Sequence, residues 1–145
     1  MFDLVRPRKV LANRRLGRNA FVLTIERRND TVRAGSHVDA GLPDSETRPY
    51  SLFSGENDPT LEILVRRVEV GKVSMQLSSL QPGDPIKIEA PKGRFGLGAV
   101  RPGEKVLLLA TGTGVAPFRS FLRSRPELDY TVVHGVRDPE DDFCQ

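Results

Sequence analysis

Hydrophobic positions in the first two thirds of the chain recur in short, partly alternating groups. Each group is rich in β-branched residues and is cut off by Gly, Pro, Asn or Asp, the signature of half-buried strands divided by turns. The pattern predicts strands over Val5–Ala12, Ala20–Glu26, His37–Ala40, Arg48–Phe53, Leu61–Val68 and Ile86–Glu89. Turn signals lie between them at Arg28-Asn29-Asp30, Gly41-Leu42-Pro43-Asp44, Gly55-Glu56-Asn57-Asp58-Pro59 and Gln81-Pro82-Gly83-Asp84. One helical interruption is predicted over Val73–Leu80, after Gly71-Lys72. Many short strands at this spacing imply a small antiparallel barrel or sandwich.

The pattern changes near residue 100. After the turn Arg101-Pro102-Gly103-Glu104 comes the unbroken apolar run Val106–Ala110, as expected of a strand covered on both faces of a parallel sheet. A Gly-rich turn, Thr111-Gly112-Thr113-Gly114, leads into a predicted helix over Ala116–Arg123 with Pro117 in its first turn. A second buried strand is predicted over Tyr130–His134, which completes one βαβ unit. The expected organisation is an antiparallel β-barrel over residues 1–99 and the start of a parallel α/β domain over 100–145. A parallel sheet needs more than two strands to cover its faces. The chain is therefore expected to be a fragment, the alternative being a genuinely short protein whose nucleotide half was lost, with uncovered apolar faces that favour dimerisation or aggregation.

Composition narrows the classes. Of 145 residues, 38% are hydrophobic and 28% charged, a balance that builds a core of useful size. The single cysteine, Cys144, allows no internal disulfide and no cysteine-held iron–sulfur cluster within the chain. The two histidines, His37 and His134, are far apart and read as ordinary strand residues, so no metal site is expected. The longest apolar run, Val106–Ala110, is far below the roughly 20 residues of a membrane span. Met1-Phe2-Asp3-Leu4 does not open a signal peptide, which leaves the cytoplasm as the expected location.

Charge is uneven. Residues 1–33 carry nine Lys or Arg against three Asp or Glu, and the remainder thirteen against sixteen. The favoured reading is a charged strand edge guarded against aggregation. The alternative is steering of an acidic protein or phosphate-rich ligand. Aromatics make up 6% with no Trp, and no basic stripe interleaves them, so nucleic acid is not expected as a partner.

Three segments carry candidate chemistry. In Arg48-Pro49-Tyr50-Ser51-Leu52-Phe53-Ser54, alternation sends Arg48, Tyr50 and Leu52 one way and Pro49, Ser51 and Phe53 the other. A guanidinium can pair with phosphate, a phenol can lie on an aromatic ring and a hydroxyl can hydrogen-bond a ring nitrogen, a set that suits a flavin nucleotide. Gly71-Lys72-Val73-Ser74 opens a helix whose free N–H groups suit a pyrophosphate. Thr111–Gly114 and Val115-Ala116-Pro117-Phe118 follow a strand and open a helix, which suits a dinucleotide, although the spacing is not G-x-G-x-x-G. Each segment alone also reads as an ordinary strand, a plain helix start or a tight turn.

Taken in order, Arg48-x-Tyr50-Ser51, Gly71-x-x-Ser74, Pro91-Lys92-Gly93-Arg94-Phe95, Gly112-Thr113-Gly114-Val115-Ala116-Pro117-Phe118 and His134-Gly135-Val136-Arg137 resemble the ferredoxin–NADP reductase family across nearly the whole chain. The resemblance implies a flavin-binding barrel followed by a nucleotide-binding α/β domain. Arg48 would pair with the flavin phosphates, Tyr50 would stack on the isoalloxazine, and Ser51 would hydrogen-bond near its N5; Tyr50 and Ser51 are thus the expected catalytic residues. Gly71, Lys72, Val73 and Ser74 would hold the pyrophosphate, with Val65 and Arg66 on the phosphate and ribose side. Thr111, Gly112, Thr113, Gly114 and Pro117 would cradle the nicotinamide nucleotide, and Arg137 would touch its ribose or phosphate.

The implied activity is hydride transfer between NAD(P)H and flavin, followed by single-electron exchange with a carrier such as ferredoxin or flavodoxin. FAD is the expected cofactor, with FMN as the alternative. The short link from Val68 to Gly71 points to compact bacterial members, because it has no room for an adenine-covering aromatic loop. The family's later cysteine motif is absent, Cys144 lies too early to be it, and the residues that read a 2′-phosphate are missing, so NADH against NADPH stays open. The rival readings are a reductase component of an oxygenase or haemoprotein system, and a non-catalytic flavin- or nucleotide-binding regulatory module.

Overall fold

A computed structural model describes residues 6–143; Val5 at the start of the first predicted strand, and Cys144, lie outside them. Six antiparallel strands come first: β1 (Arg8–Leu16), β2 (Ala20–Glu26), β3 (His37–Gly41), β4 (Arg48–Ser51), β5 (Thr60–Arg66) and β6 (Pro85–Ile88). Helix α1 (Lys72–Ser78) lies between β5 and β6. The spatial order is β4-β3-β6-β1-β2-β5. An antiparallel bridge between Leu52 and Ile63 joins the two ends of this sheet, and the Phe53 N–H donates to the Glu62 carbonyl at 2.7 Å. The sheet therefore closes into a small barrel, with its edges consumed by pairing.

The barrel interior is filled by Val10, Leu23, Ile25, Val38, Leu52, Leu61, Ile63, Leu77, Ile86 and Ile88, all 1% exposed or less. Strand β1 carries one extra residue opposite β2: Val10 pairs with Ile25 and Ala12 with Thr24, which leaves Leu11 exposed as a bulge. Strand β2 is apolar at nearly every position because both of its faces are covered. Phe21, Leu23 and Ile25 face the barrel interior, whereas Ala20 and Val22 join a second core outside it.

That second core belongs to the βαβ unit formed by β7 (Lys105–Thr111), a single 3-10 turn (Gly112–Val115), α2 (Ala116–Ser124) and β8 (Asp129–Gly135). Strands β7 and β8 are parallel and in register from Lys105↔Asp129 to Thr111↔Gly135. Helix α2 buries Phe118 and Phe121, one turn apart, against Val22, Phe53 and Leu64 of the barrel wall. Polar contacts pin the same interface. Arg119 Nη1 donates to the Phe53 carbonyl at 2.7 Å and to Glu62 at 3.0 Å, with its guanidinium 4.1 Å from the Phe53 ring centroid. Arg123 makes a two-pronged pair with Asp58, both contacts at 2.7 Å, and the Glu56 N–H donates to Ser124 Oγ at 3.0 Å.

The burial expected on both faces of Val106–Ala110 is not observed. Leu108 is buried, while Leu107 and Leu109 are 62% and 64% exposed, and Val133 on β8 is 52% exposed. One face of the two-stranded sheet packs on α2 and the barrel, and the other face is open among the described residues.

Candidate functional site

Barrel closure creates the first part of the site. Strand β4 ends the sheet and pairs only with β3, setting Tyr50 opposite Val38 and Ser51 opposite His37. Continued past the Leu52–Ile63 bridge, the antiparallel register sets Tyr50 level with Val65, but no ladder forms there. Beyond the bridge the two strands are unpaired, with Arg48, Tyr50 and Ser51 on one and Arg66 on the other. Arg48 is exposed and pairs with Glu46 at 3.2 Å. A surface pair of this kind is weak, so the guanidinium is free to take a stronger anion. Tyr50 is half-buried against the barrel core. Burial raises its phenol above the ordinary 10.0, against the opposing pull of Arg48, so it keeps its proton at neutral pH.

The second part lies at the start of α1. The Val68 N–H donates to Ser74 Oγ at 3.1 Å, Gly71 N–H donates to the Val68 carbonyl at 2.8 Å, and Ser74 Oγ is 3.2 Å from the Gly71 carbonyl. A Cβ on Gly71 would meet Ser74 Oγ at 3.0 Å and Val68 Cβ at 3.1 Å, so a side chain there would make the loop give by a few tenths of an ångström. Ser74 is thus a brace for the loop, its hydroxyl occupied by the chain itself. Val65 and Val73 point into the barrel core, which leaves their main chain alone for a ligand. Lys72 is exposed, and the first N–H groups of α1 have no intrahelical acceptor.

The third part is a cleft of about 590 Å³ at the carboxyl ends of β7 and β8, where open α/β sheets bind ligands. It unites Arg66 of β5, Thr111 at the end of β7, Gly112 and Thr113 after it, and Arg137 after β8. Gly112 has φ +52°, and a Cβ on Gly112 or Gly114 would meet no heavy atom within 4 Å. Glycine at 112 leaves an open cradle in which a ligand can approach the backbone, whereas Gly114 does not line the cleft. Pro117 is buried in the first turn of α2 and starts the helix; it does not line the cleft.

Sequence reasoning missed Arg18, Asn19, Asp138 and Asp141, which complete the cleft. The Arg18 N–H donates to Asp141 Oδ1 at 3.0 Å, and Arg18 Nε lies 3.8 Å from Asp138. These contacts dock the segment after β8 onto the β1–β2 turn. The basic turn Arg14–Arg18 was the available signal, but its acidic partners lie more than a hundred residues away. Among the described residues, no cluster of three or more His, Cys, Asp or Glu could hold a metal ion, and no helix is long and apolar enough to cross a membrane.

Residues 9–96 match the family model for the oxidoreductase FAD-binding domain. The flavodoxin/ferredoxin–NADP reductase of Escherichia coli (strain K12) is 34% identical over 125 residues, which cover 81% of this chain and 50% of that protein. The toluate 1,2-dioxygenase electron transfer component of Pseudomonas putida is 37% identical over 95 residues, covering 64% of this chain and 28% of that protein. The chain thus spans half, or less, of the curated relatives it matches. Among solved structures, a ferredoxin NADP+ reductase from Neisseria gonorrhoeae with bound FAD and NADP superimposes with a TM-score of 0.86 at 25% identity, covering 94% of this chain and 59% of that one. The closed barrel, the unpaired strand end at Tyr50 and the match over most of the barrel agree: the chain belongs to the oxidoreductase FAD-binding domain family.

Proposed function

We propose that the chain is the flavin-binding part, with the opening of the nucleotide-binding part, of an oxidoreductase that passes electrons between NAD(P)H and a one-electron carrier such as ferredoxin or flavodoxin. The observation that carries this reading is the contiguity of the two binding regions. Arg66 lines the nucleotide cleft three residues beyond Ile63, and Leu52, the bridge partner of Ile63, is two residues from Tyr50. A two-electron donor and a flavin would therefore meet along one strand end.

The residues present fit FAD. Arg48, Lys72 and the first turn of α1 supply cationic and N–H donors for phosphates, and Tyr50 with Ser51 supplies an aromatic face and a hydroxyl. They fit a pyridine nucleotide through the open glycine cradle and Arg137. Conversion between two-electron and one-electron transfer is the chemistry a bound flavin supplies; the protein binds, orients and excludes water. Ser51 would present its hydroxyl to the flavin edge, and Tyr50 would hold the ring plane with a protonated phenol. The division of labour falls at residues 99/100, with the flavin part before it and the nucleotide part after it. The proposed location is the cytoplasm.

A second reading, the reductase component of an oxygenase system, is favoured by the similarity to the Pseudomonas electron transfer component. The open face of Leu107, Leu109 and Val133 is proposed to drive self-association when nothing else covers it.

An absorbance spectrum before and after FAD or FMN, then NADPH or NADH, tests the reading. Bound flavin that bleaches with a pyridine nucleotide supports it and names both cofactors. Failure of correctly folded protein to bind any flavin overturns it. Ser51→Ala should keep flavin bound and slow its reduction by about 10-fold or more.

A further inference from the structure

We propose that His134 is a positioning residue for pyridine-nucleotide binding: its imidazole holds the carbonyl of Gly112 and thereby keeps the Thr111–Gly114 loop in its open-cradle form. This rests on the nucleotide reading of the cleft given above. His134 lies at the carboxyl end of β8, in register with Ala110 of β7, and its side chain is only 6% exposed. Its Nε2 is 2.8 Å from the Gly112 carbonyl oxygen. A carbonyl only accepts, so Nε2 must carry the proton, and the contact fixes the tautomer.

The bond acts on the peptide between Gly112 and Thr113, two residues that line the cleft. Gly112 stands at φ +52° at the start of the 3-10 turn with open space beside it, and the imidazole adds a side-chain restraint to the turn's own bonding. In a trans peptide the carbonyl and the following N–H point in opposite directions. Drawing the Gly112 carbonyl toward β8 turns the Thr113 N–H away from His134, and Thr113 lines the cleft. The imidazole sets that direction from behind the loop and touches no ligand.

The other ring nitrogen argues that the Gly112 contact is the reason for an imidazole here. Nδ1 is buried with no hydrogen-bond partner among the described residues; the nearest carboxylate oxygen, Asp142 Oδ1, is 3.7 Å away. A buried polar atom left without a partner is costly. A phenyl ring would fill the same space beside Phe143, whose ring centroid is 5.8 Å away, without that cost. What a phenyl ring lacks is the donor to Gly112.

The test compares wild type, His134→Phe and His134→Gln, the last because its amide nitrogen can stand near the Nε2 position. Calorimetry with NADP+ and NAD+ gives affinity, the flavin spectrum reports the barrel, and amide exchange over residues 113–116 reports the loop. In His134→Phe we expect about tenfold weaker nucleotide binding and faster loop exchange with flavin content unchanged, and in His134→Gln recovery of most of both, in line with one hydrogen bond. Wild-type affinity in His134→Phe overturns the assignment, as does a His134→Gln variant no better than His134→Phe. Wild-type protein that takes up flavin but neither nucleotide overturns the nucleotide reading itself, whereas unchanged loop exchange in His134→Phe overturns the role of His134 alone.

Discussion

The barrel and the βαβ unit are built from similar residues but solve burial differently. The barrel closes on itself: β4 meets β5 at Leu52–Ile63, and its interior side chains are lost to water without help from the rest of the chain. The βαβ unit cannot do this with two strands. It covers one sheet face with α2 and with the outer wall of the barrel, and leaves Leu107, Leu109 and Val133 open. The comparison teaches that the second unit borrows its core. Val22, Phe53 and Leu64 are barrel residues that the βαβ unit needs more than the barrel does.

The largest expected effect separates the two regions. Ile63→Ala, in the middle of the barrel, should cost about 2–5 kcal/mol and lower hydrogen-exchange protection in β2, β5, β7 and β8 together. Phe121→Ala removes the hub of the second core, where it touches Phe95 and Phe118, at a cost of about 3–5 kcal/mol. Exchange should then rise across residues 105–135 while β2 and β5 keep their protection. Equal loss in both regions would mean that the barrel depends on the βαβ unit as well.

A smaller effect is expected at the polar seam. Arg119→Met should keep the aliphatic packing but lose the donor to the Phe53 carbonyl and the charge over its ring, about 1–2 kcal/mol in denaturant unfolding.

The seam is also sensitive to acid. The two-pronged contact from Arg123, aided by the Gly55 N–H, holds the Asp58 carboxyl below its ordinary 3.8 despite opposition from burial. A carboxyl lowered on folding stabilises fully above 3.8 and loses that contribution as pH falls through the lower folded value. Asp58→Asn should therefore flatten the stability profile below about pH 4, read from thermal melts, with no change in that slope at neutral pH. Asp30, lowered chiefly by Arg8 within the barrel, should continue to titrate in that variant. The smallest effect on stability is expected for Leu109→Glu, within about 0.5 kcal/mol at so exposed a position. Sedimentation should nonetheless show less self-association than in wild type.

How far the sequence was legible follows the same division. Strand β2 matches its predicted bounds, and β3, α1, α2 and β8 lie within a residue or two of theirs, because local periodicity and turn residues decide them. Strand β1 runs on to Leu16 through Asn13-Arg14-Arg15, a polar stretch without alternation that is held by its pairing with β2. The run Val106–Ala110 promised cover on both faces, but periodicity cannot report whether a covering element exists. The juxtaposition of Arg48, Tyr50 and Ser51 was legible because they share one strand. Arg18 and Asp141 were not, because only tertiary docking brings them together. Pro117 starts α2 where its place in the motif predicted, whereas the bracing of the loop by Ser74 was not legible, because it depends on a hydrogen bond from Val68 that local pattern does not report.

The placement of β1 between β2 and β6 has a consequence for the order of events during synthesis. Its β2 side can form as soon as the first hairpin leaves the ribosome. Its other side waits for Ile86, the register partner of Arg8, which is made only after every other barrel strand. Pairing across so much chain is slow, and a waiting edge recruits other chains. Arg8, Lys9, Arg14 and Arg15 all lie on that strand. A nascent chain would thus carry positive charge along the strand whose Arg8–Lys9 end stays unpaired longest, where mutual repulsion keeps neighbouring copies apart until β6 arrives.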